Sequence, residues 1–302
     1  YMFHDALVSF AERRVIYMQI VKDYRENKEL RDSFNELAKK VFNLEFEEWY
    51  RNGFWNEKYI PFSVVIDGKV VANVSVNKCD MNYNGEVLKL IQLGTVMTDP
   101  DYRRNGYAGM LMNEIMKEYE GKADGMYLYA NDAALEFYPK FGFHKKTEFQ
   151  YSKHVKNITN DVTEKIPMET PEDWAGMVDI MKTKAQCGNM TLNGNEDLFM
   201  FYLSQFMKEN VYYISSLDTH VIAEIDGDTL MIHAIFGEAA IDDVIASFGS
   251  RIRNVILFFT PVDITGYEEK VVEEEDTTFF VKGKAFEALG DYKFMFQAIA
   301  HA

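Results

Sequence analysis

Residues 103 to 109 read Arg-Arg-Asn-Gly-Tyr-Ala-Gly, which sets two permanent cations beside three residues with little or no side chain, Gly106, Ala108 and Gly109. A segment of this kind can hold an anion. The residues before it, 87–98, form a long apolar run closed by Asp99-Pro100. After it, Leu111, Met112, Ile115 and Tyr119 recur at helical spacing. Where a strand turns into a helix, the first helical amides have no internal acceptor, and the helix dipole favours negative charge there. Small residues let a bulky phosphate approach that backbone, and Arg103 and Arg104 add charge that cannot be titrated away. The same seven residues also fit a plain strand-to-helix turn whose arginines are solvated. The segment is not a P-loop, because no Gly-Lys-Ser or Gly-Lys-Thr follows a glycine-rich run.

The elements around this turn read as a mixed α/β unit. A short helix is expected over residues 1–14, with Ala6, Leu7 and Phe10 on its apolar side, and a strand over 15–22. Leu30, Phe34, Leu37, Val41 and Phe42 give residues 28–42 a helical stripe, and a shorter helix is expected over 45–55. Asp67-Gly68 between residues 62–66 and 69–76 signals a two-residue hairpin, and a second turn falls at 82–85. Beyond the helix at 109–119 come a strand at 126–130, a helix at 132–141 and a closing strand at 143–153. Leu135, Tyr138 and Phe141 share one face of that helix, the pattern of ordinary core residues. The polar stretch 157–173, with Pro167 and Pro171, reads as a linker between a domain at 1–156 and another at 174–302. In the second half, helical patterns at 174–183 and 197–208 precede a strand pair around Asp226-Gly227. The two hairpins, VVIDGKVVANV and AEIDGDTLMIH, suggest an internal repeat. The acidic run 268–276 reads as a solvated loop.

The chain has 302 residues, 32 basic against 48 acidic, for a net charge of −16. That surface repels phosphates, so duplex nucleic acid is excluded as the main partner, while a cationic small molecule or a basic peptide is permitted. At 47% hydrophobic and 15% aromatic the sequence can build a packed core. No run is long and apolar enough to span a membrane, and Asp5, Glu12, Arg13 and Arg14 do not suit a secretory signal, so a cytoplasmic protein is expected. Cys79 and Cys187 cannot form a disulfide framework. None of the six histidines pairs with Cys or carboxylate at metal-ligand spacing, so no metal is expected.

The turn resembles motif A of the GNAT superfamily of acyl-CoA-dependent N-acetyltransferases, Arg/Gln-x-x-Gly-x-Gly/Ala, with Arg103, Gly106 and Ala108 in those places. Pro100 and Tyr102 precede it as they commonly do in that family. Residues 131–143, Asn-Asp-Ala-Ala-Leu-Glu-Phe-Tyr-Pro-Lys-Phe-Gly-Phe, resemble motif B, with Tyr138 lying 32 residues after Gly106. The resemblance covers residues 15–153, about half of the chain. It implies a mixed sheet whose fourth and fifth strands splay apart, with pantetheine pairing along the fourth at Val96 and Met97. It implies acetyl-CoA as co-substrate, with its pyrophosphate on the amides of Arg104, Asn105, Gly106, Tyr107, Ala108 and Gly109. Asn131 matches a position that commonly hydrogen-bonds the cofactor, though it is also a natural N-cap. Tyr138 matches the general acid, a task suited to a phenol protonated at neutral pH.

On the acceptor side the resemblance leaves a gap. Many family members carry a Glu or Asp base on the fourth strand, but residues 88–96 read Leu-Lys-Leu-Ile-Gln-Leu-Gly-Thr-Val, without a carboxylate. Gln92 and Thr95 could instead order a proton-relaying water. Glu45, Glu48 and Trp49, in a run of carboxylates interleaved with aromatics, suit a cationic amine. They fit equally well a solvated acidic helix face with Trp49 in the core. In the second half, Phe236–Asp243 is acidic where motif A would be basic, so that unit should not bind acyl-CoA. The tandem plan resembles the enhanced-intracellular-survival type of acetyltransferase, here without room for that group's third domain. There the chain's terminal carboxylate has been assigned as base, a role Ala302 could fill only by reaching the first cleft. The expectation is an N-acetyltransferase acting by direct sequential transfer on a primary amine, of an aminoglycoside- or polyamine-like molecule. A protein N-terminus or lysine as acceptor, or a non-catalytic acyl-CoA-binding module, are the alternatives. Oligomerisation is left open.

Overall fold

A computed structural model describes residues 17–300 of the chain. The helix expected over 1–14, His4, His301 and Ala302 lie outside the described residues. In chain order the first half contains β1 (Met18–Lys22), α1 (Lys28–Phe42), α2 (Glu47–Arg51), β2 (Tyr59–Ile66), β3 (Lys69–Tyr83), β4 (Glu86–Thr98), α3 (Tyr107–Tyr119), β5 (Gly125–Ala130), β6 (His144–Lys145) and β7 (Phe149–His154). The second half contains β8 (Glu164–Ile166), α4 (Pro171–Thr183), β9 (Met190–Asn193), α5 (Glu196–Gln205), β10 (Val211–Ile214), β11 (Thr219–Asp226), β12 (Thr229–Phe236), α6 (Ile241–Ser247), β13 (Asn254–Leu257), β14 (Glu268–Val271), β15 (Thr278–Lys282) and α7 (Lys284–Ala288).

Local chemistry sets most of these boundaries. The side chain of Asn27 accepts from the Leu30 amide at 3.2 Å and opens α1, and Asn43 closes it in the left-handed conformation at φ 57°. Thr170 and Asp173 form a reciprocal capping box at the start of α4. Asp67 and Gly68 both take positive φ, as the tight β2–β3 turn demands, and Asn84-Gly85 repeats this between β3 and β4. The second hairpin differs by one residue. Asp226 pairs with Thr229, so its turn is Gly227-Asp228, with the glycine at the first central position.

The strands form two sheets of matching order. The first runs β1-β2-β3-β4-β5-β15-β6, with β9 paired to the far end of β3; the second runs β14-β7-β13-β12-β11-β10-β8. Each has one parallel neighbour pair, β4 with β5 and β12 with β13. Reading the first from β1 and the second from β8, the sixth place in each is filled by a strand of the other half of the chain. There β15 lies antiparallel to β5, and β7 lies antiparallel to β13. The repeat inferred from two short hairpins therefore extends to the whole topology, with a reciprocal exchange of one strand.

Three expectations need correction. Residues 143–153 are not one strand: β6 ends at Lys145 in the first sheet, and β7 belongs to the second. Residues 132–141 form two short 3-10 turns, Asp132–Ala134 and Tyr138–Phe141, because Pro139 lacks an amide and disfavours helix at the residue before it. The stretch 157–173 is more than a connector, since it contains β8, antiparallel to β10. One apolar cluster lies between the first sheet and α3, built on Val74, Leu93, Leu111, Ile115 and Leu128. Another joins Met81, Leu90 and Tyr127 of the first half to Leu198, Phe236, Phe294 and Phe296 of the second. The two units thus share a core.

Candidate active site

The turn between β4 and α3 is fixed from below by Asp99. This buried carboxylate accepts from Lys40 Nζ of α1 at 2.7 Å, Lys69 Nζ of β3 at 3.2 Å and the Asp101 amide at 3.1 Å. Burial works to raise its pKa, but these donors outweigh it and hold the carboxyl below its ordinary value. Above it, Asn105 Nδ2 donates to the Tyr102 carbonyl at 2.9 Å, and Arg104 and Gly106 take φ of 65° and 78°. Gly106 is the N-cap of α3, and that helix has no acidic residue in its first turn. The amides of Tyr107, Ala108 and Gly109 consequently lack intrahelical acceptors and face no fixed anion. A Cβ at Gly109 would meet no heavy atom within 4 Å, so the backbone there is open to approach. Among the described residues neither Arg103 nor Arg104 forms an ion pair, and both are exposed.

The cleft beside this cradle follows from a fault in β4. Its ladder with β3 slips between Asn73 and Ser75, and Thr95 takes φ 46°, rare for a β-branched residue. Asn73 Nδ2 holds the distorted Thr95 carbonyl at 2.9 Å, and the Thr95 hydroxyl lies 2.8 Å from that of Tyr59. Pairing between β4 and β5 stops at Leu93–Leu128, although β4 continues to Thr98 and β5 to Ala130. The gap opens into a cleft of about 930 Å³. Val96, Met97, every residue from Arg103 to Gly109, Asn131 and Tyr138 line it. The side chain of Asn131 makes no capping bond, so it is not used as the natural N-cap it resembles.

Tyr138 is only 3% exposed, and burial pushes its phenol up to about 12. Its ring packs on Phe137 and Phe143 and, at 5.9 Å, on Phe280 of the exchanged strand β15. Tyr138 is thus at once a buried core aromatic and a lining residue of the cleft.

The acceptor side departs from expectation. Trp49 lines the cleft, with Nε1 donating to the Asp197 carbonyl at 2.8 Å, but Glu45 and Glu48 do not line it. Phe46 and Trp49 take the inward face of the single turn at α2, which leaves both carboxylates exposed. Glu45 instead pairs with Lys39 at 2.5 Å. Several lining residues come from the second half, out of reach of the sequence reading: Leu198, Phe201 and Tyr202 of α5, and Asp276 and Thr277 before β15. The only available signal was α5 itself, whose run Leu-Phe-Met-Phe-Tyr-Leu is apolar on every side, the mark of a helix buried between units. Asp276, expected in a solvated acidic loop, accepts from the Asp132 amide at 2.6 Å.

The second unit has the same gap, but the chain itself fills it. Pairing of β12 with β13 ends at Ile232–Leu257. Past that point the Cys187 amide donates to the Ile235 carbonyl at 2.9 Å, Gly237 donates to Ala185 at 2.8 Å, and Asn189 donates to Thr260 at 2.8 Å. Asp242 and Asp243 occupy the first turn of α6, where an anion would otherwise be favoured.

With this geometry in view, residues 24–145 match the family model described as acetyltransferase (GNAT) domain. Over these residues the chain is similar to a GNAT acetyltransferase domain. The match ends at Lys145, the last residue of β6 and the last before the chain crosses to the second sheet. No curated protein matches the sequence. Solved structures similar to the chain include a probable N-acyltransferase from Enterococcus faecalis, 15% identical with a TM-score of 0.60, covering 90% of this chain and 74% of that one. A GCN5-related N-acetyltransferase from Kribbella flavida is 15% identical with a TM-score of 0.57, covering 89% and 72%. Eis1 from Mycobacterium abscessus is 12% identical with a TM-score of 0.53, covering 91% and 75%. These likenesses extend past the GNAT-like domain over most of the chain, so the two-sheet arrangement is a shared fold. No helix among the described residues is long and apolar enough to cross a membrane.

Proposed function

We propose that the GNAT-like domain transfers the acetyl group of acetyl-CoA to a primary amine of a small molecule, with both substrates held in the one cleft. The observation that carries this reading is that the bared amides of α3 and the Tyr138 phenol open onto the same space. In this reading Arg103, Arg104 and the amides from Asn105 to Gly109 hold the pyrophosphate. The backbone of Val96 and Met97, past the end of the β4–β5 ladder, pairs with the pantetheine arm as an added strand would. Asn131, at the mouth of β5, adds a side-chain hydrogen bond. The thioester supplies an acyl group whose leaving sulfur needs a proton. Tyr138, fully protonated at neutral pH with its pKa near 12, donates that proton from an apolar pocket. Water ordered by the Tyr59–Thr95 hydroxyl pair takes the proton released by the amine.

Replacing Tyr138→Phe keeps the ring packing and removes the acid. Turnover, followed as free thiol released from acetyl-CoA with a panel of primary amines, is expected to fall about 100-fold, with acetyl-CoA affinity unchanged. Unaltered turnover at neutral pH would refute the assignment. Acetyl-CoA binding without amine-dependent thiol release would favour a non-catalytic module.

A further inference from the structure

We infer that the acceptor is a monoamine with an apolar body, such as an arylalkylamine, and not a polycation; this rests on the acyl-transfer reading above. The end of the cleft away from the cradle is walled by Phe46, Trp49, Tyr59, Leu198, Phe201 and Tyr202. The rings brace one another: Phe46 and Phe201 stack at 5.1 Å, while Trp49 meets Tyr59 edge-on at 5.2 Å and Phe201 at 5.7 Å. The walls are therefore rigid and present hydrocarbon and π faces to an occupant.

Charge on this side is as informative as shape. Among the described residues, the side chains of fixed charge lining the cleft are Arg103 and Arg104 at the cradle and Asp276 near Asn131, and one oxygen of Asp276 already accepts from the Asp132 amide. Among the described residues no carboxylate lines the aromatic end, and Glu45 and Glu48 are exposed away from it. A molecule with several ammonium groups would leave water there without counter-charges, and burying unpaired charge is costly. One nitrogen, however, has a partner waiting. Gln92, 1% exposed on β4 one residue before the strands part, lines the cleft, and its Oε1 has no hydrogen-bond donor among the described residues. Directly across the β3–β4 ladder, Asn77 Oδ1 is in the same state. Buried acceptors are nearly always satisfied, so an oxygen left open beside the cleft marks where an N–H donor belongs. A single amine held at Gln92 stands next to the gap at Leu93–Leu128, with its apolar body against the aromatic walls.

The test measures thiol release by the full chain from acetyl-CoA with 2-phenylethylamine and hexylamine, beside spermidine, kanamycin and an oligolysine peptide. The monoamines are expected to give kcat/KM at least about tenfold above the three polycations. Gln92→Leu is expected to lower turnover of 2-phenylethylamine at least about tenfold, while calorimetry shows acetyl-CoA binding as in the native chain. Faster turnover of any polycation, or an unchanged rate in the Gln92 variant, overturns the inference and leaves acyl transfer intact. Acetyl-CoA binding with no release from any amine overturns the acyl-transfer reading, and this inference with it.

Discussion

Glu148 occupies the crossing point between the sheets, buried, with Oε1 accepting from the Phe296 amide at 2.9 Å and from the Tyr129 hydroxyl at 3.3 Å. Burial outweighs these donors and carries its carboxyl from 4.5 up to about 8. An acid with a raised folded pKa supports the fold fully below its unfolded pKa and loses that support as pH climbs toward the folded value. Between pH 4.5 and 8 the native chain should therefore lose stability, on the order of a few kcal/mol. Glu148→Gln keeps an acceptor for Phe296 without the titration. Denaturant melts of the two proteins should diverge across that window, with the variant the more stable at pH 8.5; parallel curves would show that Glu148 stays ionised without cost. Other single residues were legible in the sequence where their signal was contiguous. The cradle is seven consecutive residues at a strand-to-helix junction, and Tyr138 follows at fixed spacing. For Glu45, Glu48 and Trp49 the sequence leaves two readings open, because alternation marks two faces of a helix without saying which one is inward; Trp49 lines the cleft and the two carboxylates do not. Asp276 could not be read at all: its partner Asp132 lies 144 positions away.

At the level of elements, hairpins and capped helices were legible because their determinants sit within a few residues, as at Asp67-Gly68 and Asn27. Strand partners were not. The alternation in β7 is as compatible with the first sheet as with the second, and only packing decides between them. The exchange makes each sheet dependent on a distant segment. Without β15, the pairing edge of β5 from Met126 to Ala130 is bare, β6 loses its neighbour, and Tyr138 loses Phe280. Residues 1–156, the span that reads as a domain in the sequence, should consequently fail to fold alone. Expressed by itself, this fragment is expected to aggregate or to give poorly dispersed amide resonances, and a well-dispersed, acetyl-CoA-binding fragment would disprove the dependence.

For the molecule as a whole, two sheets share one topology, but among the described residues only the first leaves its gap open. Residues 185–189 already bond along Ile235 and Gly237 where the first unit leaves β4 free, and α6 opens on two aspartates. Calorimetric titration with acetyl-CoA should give one site per chain, a number set by the filled second gap, and two equivalent sites would contradict it. The second unit instead serves the first by lending α5 to the cleft wall and β15 to the sheet behind Tyr138. The loan also has a schedule. Synthesis places β6 and β15 at residues 145 and 278 to 282, so the catalytic half emerges from the ribosome well before its missing strand exists. At about 5–20 residues per second, the edge of β5 waits roughly 8–30 s between its own completion at residue 130 and that of β15 at residue 282. A nascent chain in that interval is a sheet with an open seam, and occupancy by a chaperone is the natural way to keep it from closing on a neighbour.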